Sequence, residues 1–187
     1  EFLQRVKATL PKKITPHSNI TTALGNVEYL PFYNSFDTII ATDILEHVMN
    51  LGNALDRISK SLKVGGYFFC RVPFNEALGQ YSIYNGCEYK FAHLRSFNKQ
   101  ILKTQFQEVD LDIEDFYRFC FLKGRYRKNL SRLSLRVIKR ICHILRLHEL
   151  SDIDFNKKLS RRSYGWLRKL HEPIEVLVVA RKISSEK

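Results

Sequence analysis

FDTIIATDILEHVMNLGNALDRISKSLKVGGYFFCRV, residues 36–72, reads as strand, turn, helix, turn and strand. Phe36 to Thr42 is apolar on both faces at its centre, as suits a strand of a parallel sheet covered on both sides. Leu51, Ala54, Leu55, Ile58 and Leu62 then recur at helical spacing, a stripe that faces a core. Gly65-Gly66 is expected to close that helix with a left-handed residue. Tyr67 to Val72 is a second apolar strand, ended by Pro73.

The same alternation extends in both directions. Upstream, Phe2, Val6 and Leu10 mark a short helix stopped by Pro11, and Asn19 to Ala23 is a β-branched strand that ends at Gly25-Asn26. Downstream, Phe74 to Arg95 has no periodicity and reads as a long loop. Ser96-Phe97-Asn98 opens a helix through Gln105, Glu108 to Phe116 alternates as a strand, and Ile174 to Ala180 is the last strand. Strands alternating with helices indicate an α/β fold with a mostly parallel sheet. Ligands of such folds sit beyond the carboxyl ends of the strands. The residues to inspect are therefore Gly25-Asn26-Val27, Thr42-Asp43 and Pro73-Phe74-Asn75.

The chain has 187 residues, 44% apolar and 27% charged, a balance that argues for one folded domain and against disorder. Its net charge of +12 is concentrated in one place: residues 118–170 carry 16 Lys or Arg against three acids. No apolar run approaches the ~18–20 residues of a membrane span. No leader is recognisable, so a cytoplasmic location is expected. Cys70, Cys87, Cys120 and Cys142 form no CxxC pair or zinc pattern, and we expect no metal site from them.

Three blocks together resemble the class I S-adenosylmethionine-dependent methyltransferases, most of all the type 11 group that includes ubiquinone-biosynthesis-like enzymes. They are LGNVEYLPFYNSFDTIIATDILEHV (24–48), ALDRISKSLKVGGYFFCRVP (54–73) and AHLRSFNKQILKTQF (92–106), with EVLVVARK (175–182) similar to the closing strand. The resemblance implies a Rossmann-like sheet and S-adenosylmethionine as cofactor. It places Asn26 and Val27 at the adenine, and Thr42, Asp43 and His47 at the methionine end. It also makes the loop 74–95 a cover for the acceptor, with Pro73, Phe74, Asn75 and Tyr84 facing it. Asn26 also fits a simple turn, and Asp43 a helix N-cap. His47, one helical turn past Asp43, fits either a catalytic base or a packing residue, and His93 is the second candidate base.

Members of that family open with a strand running into a glycine-rich loop and with a carboxylate ending the second strand. Neither is found here, and the chain opens on Glu1. The expectation is thus an N-terminally truncated methyltransferase core over residues 1–116. A basic helical insertion follows over 117–172, and a final core strand with tail over 173–187. Within the insertion, Leu130, Leu133, Val137, Ile141 and Ile144 form one expected apolar face, and a second basic cluster at 157–169 includes Tyr164 and Trp166. Such a segment fits a cap packed on the domain, peripheral contact with an anionic membrane through residues 127–169, or nucleic acid, in that order. The function expected is methyl transfer to an unidentified small-molecule or lipid-linked acceptor. The alternatives are a non-enzymatic membrane- or RNA-binding module, or a catalytically inactive methyltransferase-like partner.

Overall fold

A computed structural model describes residues 21, 23–126, 130–160, 163 and 165–184. The helix expected over 1–10 lies outside these residues. So does most of the strand expected over Asn19 to Ala23, of which Thr21 and Ala23 carry no regular structure. Among the described residues four strands form one sheet: β1 (Phe36–Thr42), β2 (Leu62–Pro73), β3 (Leu111–Tyr126) and β4 (His171–Lys182). Their spatial order is β1-β2-β4-β3, with β1 and β2 parallel and β4 antiparallel to both of its neighbours. The sheet is therefore mixed rather than mostly parallel. The chain leaves the end of β3 and returns beside it through the basic segment, so β4 must run the opposite way.

Helix α1 (Leu51–Ser61) begins at Asn50, whose side chain accepts from the Asn53 amide at 3.0 Å. It buries Ala54, Leu55 and Ile58 on the sheet, the face that the spacing predicts. The helix ends at Ser61 and passes straight into β2, so Gly65-Gly66 is not its cap. Gly65 (φ +82°) turns the start of β2, where pairing slips from Phe36–Leu62 to Thr38–Tyr67. A Cβ on Gly66 would lie 2.9 Å from the Lys63 carbonyl and 3.0 Å from that of Asp37, so only glycine admits this approach.

Helix α2 (Lys99–Gln107) is capped by Asn98 and buries Leu102 and Phe106 beside α1. Phe68, Cys70 and Val72 of β2 join Val176, Val178 and Ala180 of β4 under these helices as the main core. The other sheet face departs from the expectation of cover on both sides. Ile40 is 68% exposed, and Tyr67, Phe69 and Leu177 are only half-buried. Among the described residues, both long helices of the core lie on one face.

β3 continues ten residues past Phe116 and, with β4, carries a second apolar cluster: Phe121, Ile138, Cys142, Leu147, Phe155, Leu159 and Leu167. Helix α3 (Arg132–Ile144) packs there through Ile138 and Cys142, with Ile141 and Leu145 half-buried. This corrects the expected face in part: Leu130 and Ile141 pack against the cluster, whereas Leu133, Val137 and Ile144 point outward. The helix has more apolar residues than one side can bury, and Phe121 and Phe155 select the side with Ile138 and Cys142. Two short helices follow, α4 (Asp152–Ser160) and α5 (Gly165–Arg168). His171 is buried in this cluster with Nδ1 2.9 Å from the Leu167 carbonyl, and burial pushes its pKa down.

Candidate active site

β1 and β2 end side by side, and each is followed by a residue in the left-handed region: Asp43 (φ 55°) and Asn75 (φ 53°). Asp and Asn tolerate that conformation better than other non-glycine residues, which lets both strands turn sharply at the same edge. A cavity of about 400 Å³ opens between these turns. It is lined by Asp43, Glu46 and His47 from the first turn, and by Pro73, Phe74 and Glu76 from the second. His93 closes it from the covering loop, and Glu175 borders it from β4.

The two loops are pinned to each other. The Leu94 amide donates to the Glu46 carbonyl at 2.9 Å, while the Arg95 guanidinium donates to the carbonyls of Leu45 and Met49 at 3.0 and 3.1 Å. His47 places Nδ1 3.0 Å from the Ala92 carbonyl. A carbonyl only accepts, so Nδ1 carries a proton and, in the neutral ring, Nε2 is the nitrogen with the lone pair. His93 Nδ1 lies 2.6 Å from Glu76 Oε2, and the two imidazole rings meet edge to face at 4.8 Å. Glu76 also accepts from Tyr81 at 2.6 Å and Gln80 at 2.9 Å. Burial and this carboxylate push the Tyr81 hydroxyl up to about 12.

Glu46 stands apart. Its side chain is 1% exposed, and neither carboxylate oxygen has a hydrogen-bond partner among the described residues. Burial raises its pKa above the usual carboxylate range. On the other wall, Arg71 donates to Glu175 at 2.8 Å and lies 3.7 Å from Asp43. Four carboxylates (Asp43, Glu46, Glu76 and Glu175) thus border one cavity, and their field favours a cation within it.

Of the residues singled out in the sequence, Asp43, His47, Pro73, Phe74 and His93 line this cavity. Thr42 is at the exposed end of β1, paired with Arg71, and Asn75 forms the turn after β2 with its amide on the Phe97 carbonyl at 2.8 Å. Asn26 and Val27 do not line it. Asn26 caps a short turn (Val27–Tyr29) by accepting from the Glu28 amide at 2.9 Å, and Glu28 in turn accepts from the Met49 amide at 2.8 Å. Tyr84 is almost fully exposed on the covering loop, which forms three short turns (Leu78–Tyr81, Ile83–Asn85 and Tyr89–Phe91). Glu46, Glu76 and Glu175 were not singled out, although Glu46 precedes His47 and Glu76 follows Asn75. Periodicity marks buried apolar positions and carries no signal for a buried acid.

A second cavity of about 450 Å³ lies in the basic segment, between Tyr126, Lys139, His143, His148 and His171. It shares no lining residue with the cavity at the ends of β1 and β2.

Comparison with known proteins bears on the fold and the family. An S-adenosylmethionine-dependent methyltransferase from Mesorhizobium loti is 15% identical, covering 96% of this chain and 75% of that one with a TM-score of 0.54, which supports a shared fold. A putative methyltransferase from Haloferax volcanii, solved with the methyltransferase activator Trm112, is 14% identical over 86% of this chain, with a TM-score of 0.49. The [4+2]-cyclase SpnF is 16% identical over 87% of it, with a TM-score of 0.47. The chain spans 60% and 56% of the lengths of these last two structures. No curated protein sequence matches it. Residues 4–115 match a family described as a methyltransferase domain, a match that does not reach the type 11 subgroup. That stretch is more than half of the chain and contains both strand-end turns of the cavity, and the protein belongs to this methyltransferase domain family.

Proposed function

We propose that the protein is an S-adenosylmethionine-dependent methyltransferase, of the type 11 group, whose cavity at the ends of β1 and β2 takes the methionine end of the cofactor beside the acceptor. The observation that carries this reading is the convergence of Asp43, His47 and Pro73-Phe74 on one acid-lined hollow in a chain of this family. A sulfonium is a cation, and the carboxylates suit it. When bound, the cofactor supplies an activated methyl group for direct displacement. The chain's own residues then have to bind, orient and exclude water.

In this reading Thr42 and Asp43 hold the methionine end. Pro73 and Phe74 wall the acceptor side, with Asn75 and the covering-loop Tyr84 contributing to its selection. The fixed tautomer of His47 leaves Nε2 free to accept a proton from the acceptor, and His93 is its neighbour. Asn26 and Val27 take the adenine from the adjoining turn, which Glu28 ties to the start of α1. Calorimetric titration with S-adenosylhomocysteine tests the site. Asp43→Asn removes a charged hydrogen-bond acceptor and is expected to weaken binding about tenfold. Absence of binding, or equal affinity in the variant, overturns the assignment.

A specific observation favours a lipid-linked or membrane-proximal acceptor. Leu133, Val137 and Ile144 of α3 are 70%, 53% and 69% exposed, flanked by Arg132, Arg136 and Arg140. Apolar side chains between arginines suit an anionic bilayer, where each basic residue adds about 1 kcal/mol. Cosedimentation is expected with vesicles containing phosphatidylserine and not with pure phosphatidylcholine. Leu133→Ser/Val137→Ser is expected to abolish it. Vesicle binding unchanged in that variant, or binding to RNA alone, refutes the contact.

A further inference from the structure

Glu46, His47 and His93 each offer one ligating atom, and these atoms all lie within 4.8 Å of one another. Among the described residues they are the single such group. We propose that Glu46, His47 and His93 bind one divalent first-row transition-metal ion. The inference goes beyond the methyl-transfer reading and does not depend on it. The sequence hides the site, because His93 joins Glu46-His47 only through the covering loop.

Three observations support the assignment independently. The first is the unpartnered acid. A buried carboxylate without hydrogen bonds is costly, and buried charges in proteins are paired or bind metal. Glu46 has no such partner among the described residues, while its backbone carbonyl accepts from the Leu94 amide and those of Leu45 and Met49 accept from Arg95. The backbone here is thus held, and a carboxylate oxygen of Glu46 lies within 4.8 Å of a ring nitrogen of each histidine.

The second is the pair of imidazoles. Each commits Nδ1 to an acceptor, His47 to the Ala92 carbonyl and His93 to the Glu76 carboxylate. Metal-binding histidines are typically held this way, with the outer partner fixing the tautomer and raising basicity at the other nitrogen. Glu76 is itself braced by Tyr81 and Gln80. The carboxylate–histidine relay is therefore complete on the His93 side.

The third is the donor set. Two imidazoles and one carboxylate suit zinc, iron, cobalt or manganese, whereas magnesium and calcium prefer oxygen ligands. Ligand bonds of about 2.0–2.1 Å place donor atoms roughly 3.4 Å apart in a tetrahedron, so binding draws the three groups together by an ångström or so. Three protein ligands leave at least one coordination position, and it opens into the cavity bordered by Asp43 and Glu175. A lone pair on His47 Nε2 cannot hold a metal and accept a proton at once, so in the metal-loaded protein His47 is a ligand.

The test uses the chelator-stripped protein without S-adenosylmethionine. Calorimetry with Zn²⁺ is expected to show one equivalent bound, and Co²⁺ is expected to give a visible d–d spectrum that Zn²⁺ abolishes. Mg²⁺ is expected to leave no signal. Glu46→Gln and His93→Ala each remove the spectrum. Glu76→Gln, which alters only the outer partner, is expected to weaken binding by 10–100-fold while the ligands remain. Absence of stoichiometric Zn²⁺ or Co²⁺ binding by the unmodified protein overturns the proposal, whatever the variants do. So does a sulfur-to-cobalt charge-transfer band, which would place the ion on cysteine. S-adenosylhomocysteine binding is measured separately, so either reading can fail while the other stands.

Discussion

Substituting Glu46 by methionine is expected to stabilise the chelator-stripped protein by about 1–3 kcal/mol, read as a higher urea midpoint at unchanged slope. The basis is the asymmetry of buried polar groups: an unpaired one costs its full desolvation, and an apolar side chain of similar size removes that cost. Glu46 is 1% exposed, and neither carboxylate oxygen has a partner among the described residues. Methionine has a similar length and enough torsional freedom to fill the space. Most substitutions of buried residues destabilise, so a gain here is diagnostic.

The ranking reverses when Zn²⁺ is added. A ligand that binds only the native state stabilises it by about 4.1 kcal/mol at a thousand times its Kd, more than the roughly 1–3 kcal/mol expected from the substitution, and Glu46→Met forgoes that gain. A variant less stable than the unmodified protein in chelator would show that Glu46 has a partner inside the fold. The buried acid would then be structural.

Phe68→Ala is expected to cost about 3–5 kcal/mol, a large share of the roughly 5–15 kcal/mol that holds a domain of this kind together. Phe68 is fully buried, lies between Ile39 of β1 and Ala180 of β4, and meets the Phe106 ring of α2 at 5.6 Å. Both core helices pack on that side of the sheet, so the cavity left by the ring is walled by already packed side chains. Phe69→Ala, one residue along and facing the other way, is expected to cost less than half as much, because that side chain is only half-buried. Urea unfolding of both variants measures the difference. Equal losses would mean that the two faces of the sheet are covered alike.

The contrast between these two phenylalanines shows where the sequence was informative. Residues 36–72 announce strand, helix and strand because short apolar runs and a period-3.6 pattern are local properties of a chain, and Leu51, Ala54, Leu55 and Ile58 face the core as their spacing requires. The same pattern cannot tell whether anything covers the far side of YFFCRV. Helix α3 fails for a related reason. Leu133, Val137 and Ile144 have helical spacing as good as that of Ile138 and Cys142, and only the position of Phe121 and Phe155 selects between them.

The site divides the same way. Asp43, Pro73 and Phe74 were legible because they follow apolar strands, and the ends of neighbouring strands in an α/β sheet share an edge. His47 followed from its distance along the first turn. Glu76 and Glu175 were not legible, since nothing in their local sequence distinguishes a cavity wall from a solvated surface.

By itself, then, the amino-acid order determined the succession of elements, the apolar face of α1 and the edge of the sheet where polar groups gather, all set by interactions between near neighbours in the chain. The antiparallel entry of β4, the outward stripe of α3 and the meeting of Glu46 with His93 were decided only by the tertiary structure. Each depends on segments far apart in sequence competing for the same buried volume, and that competition is resolved only when the chain is packed.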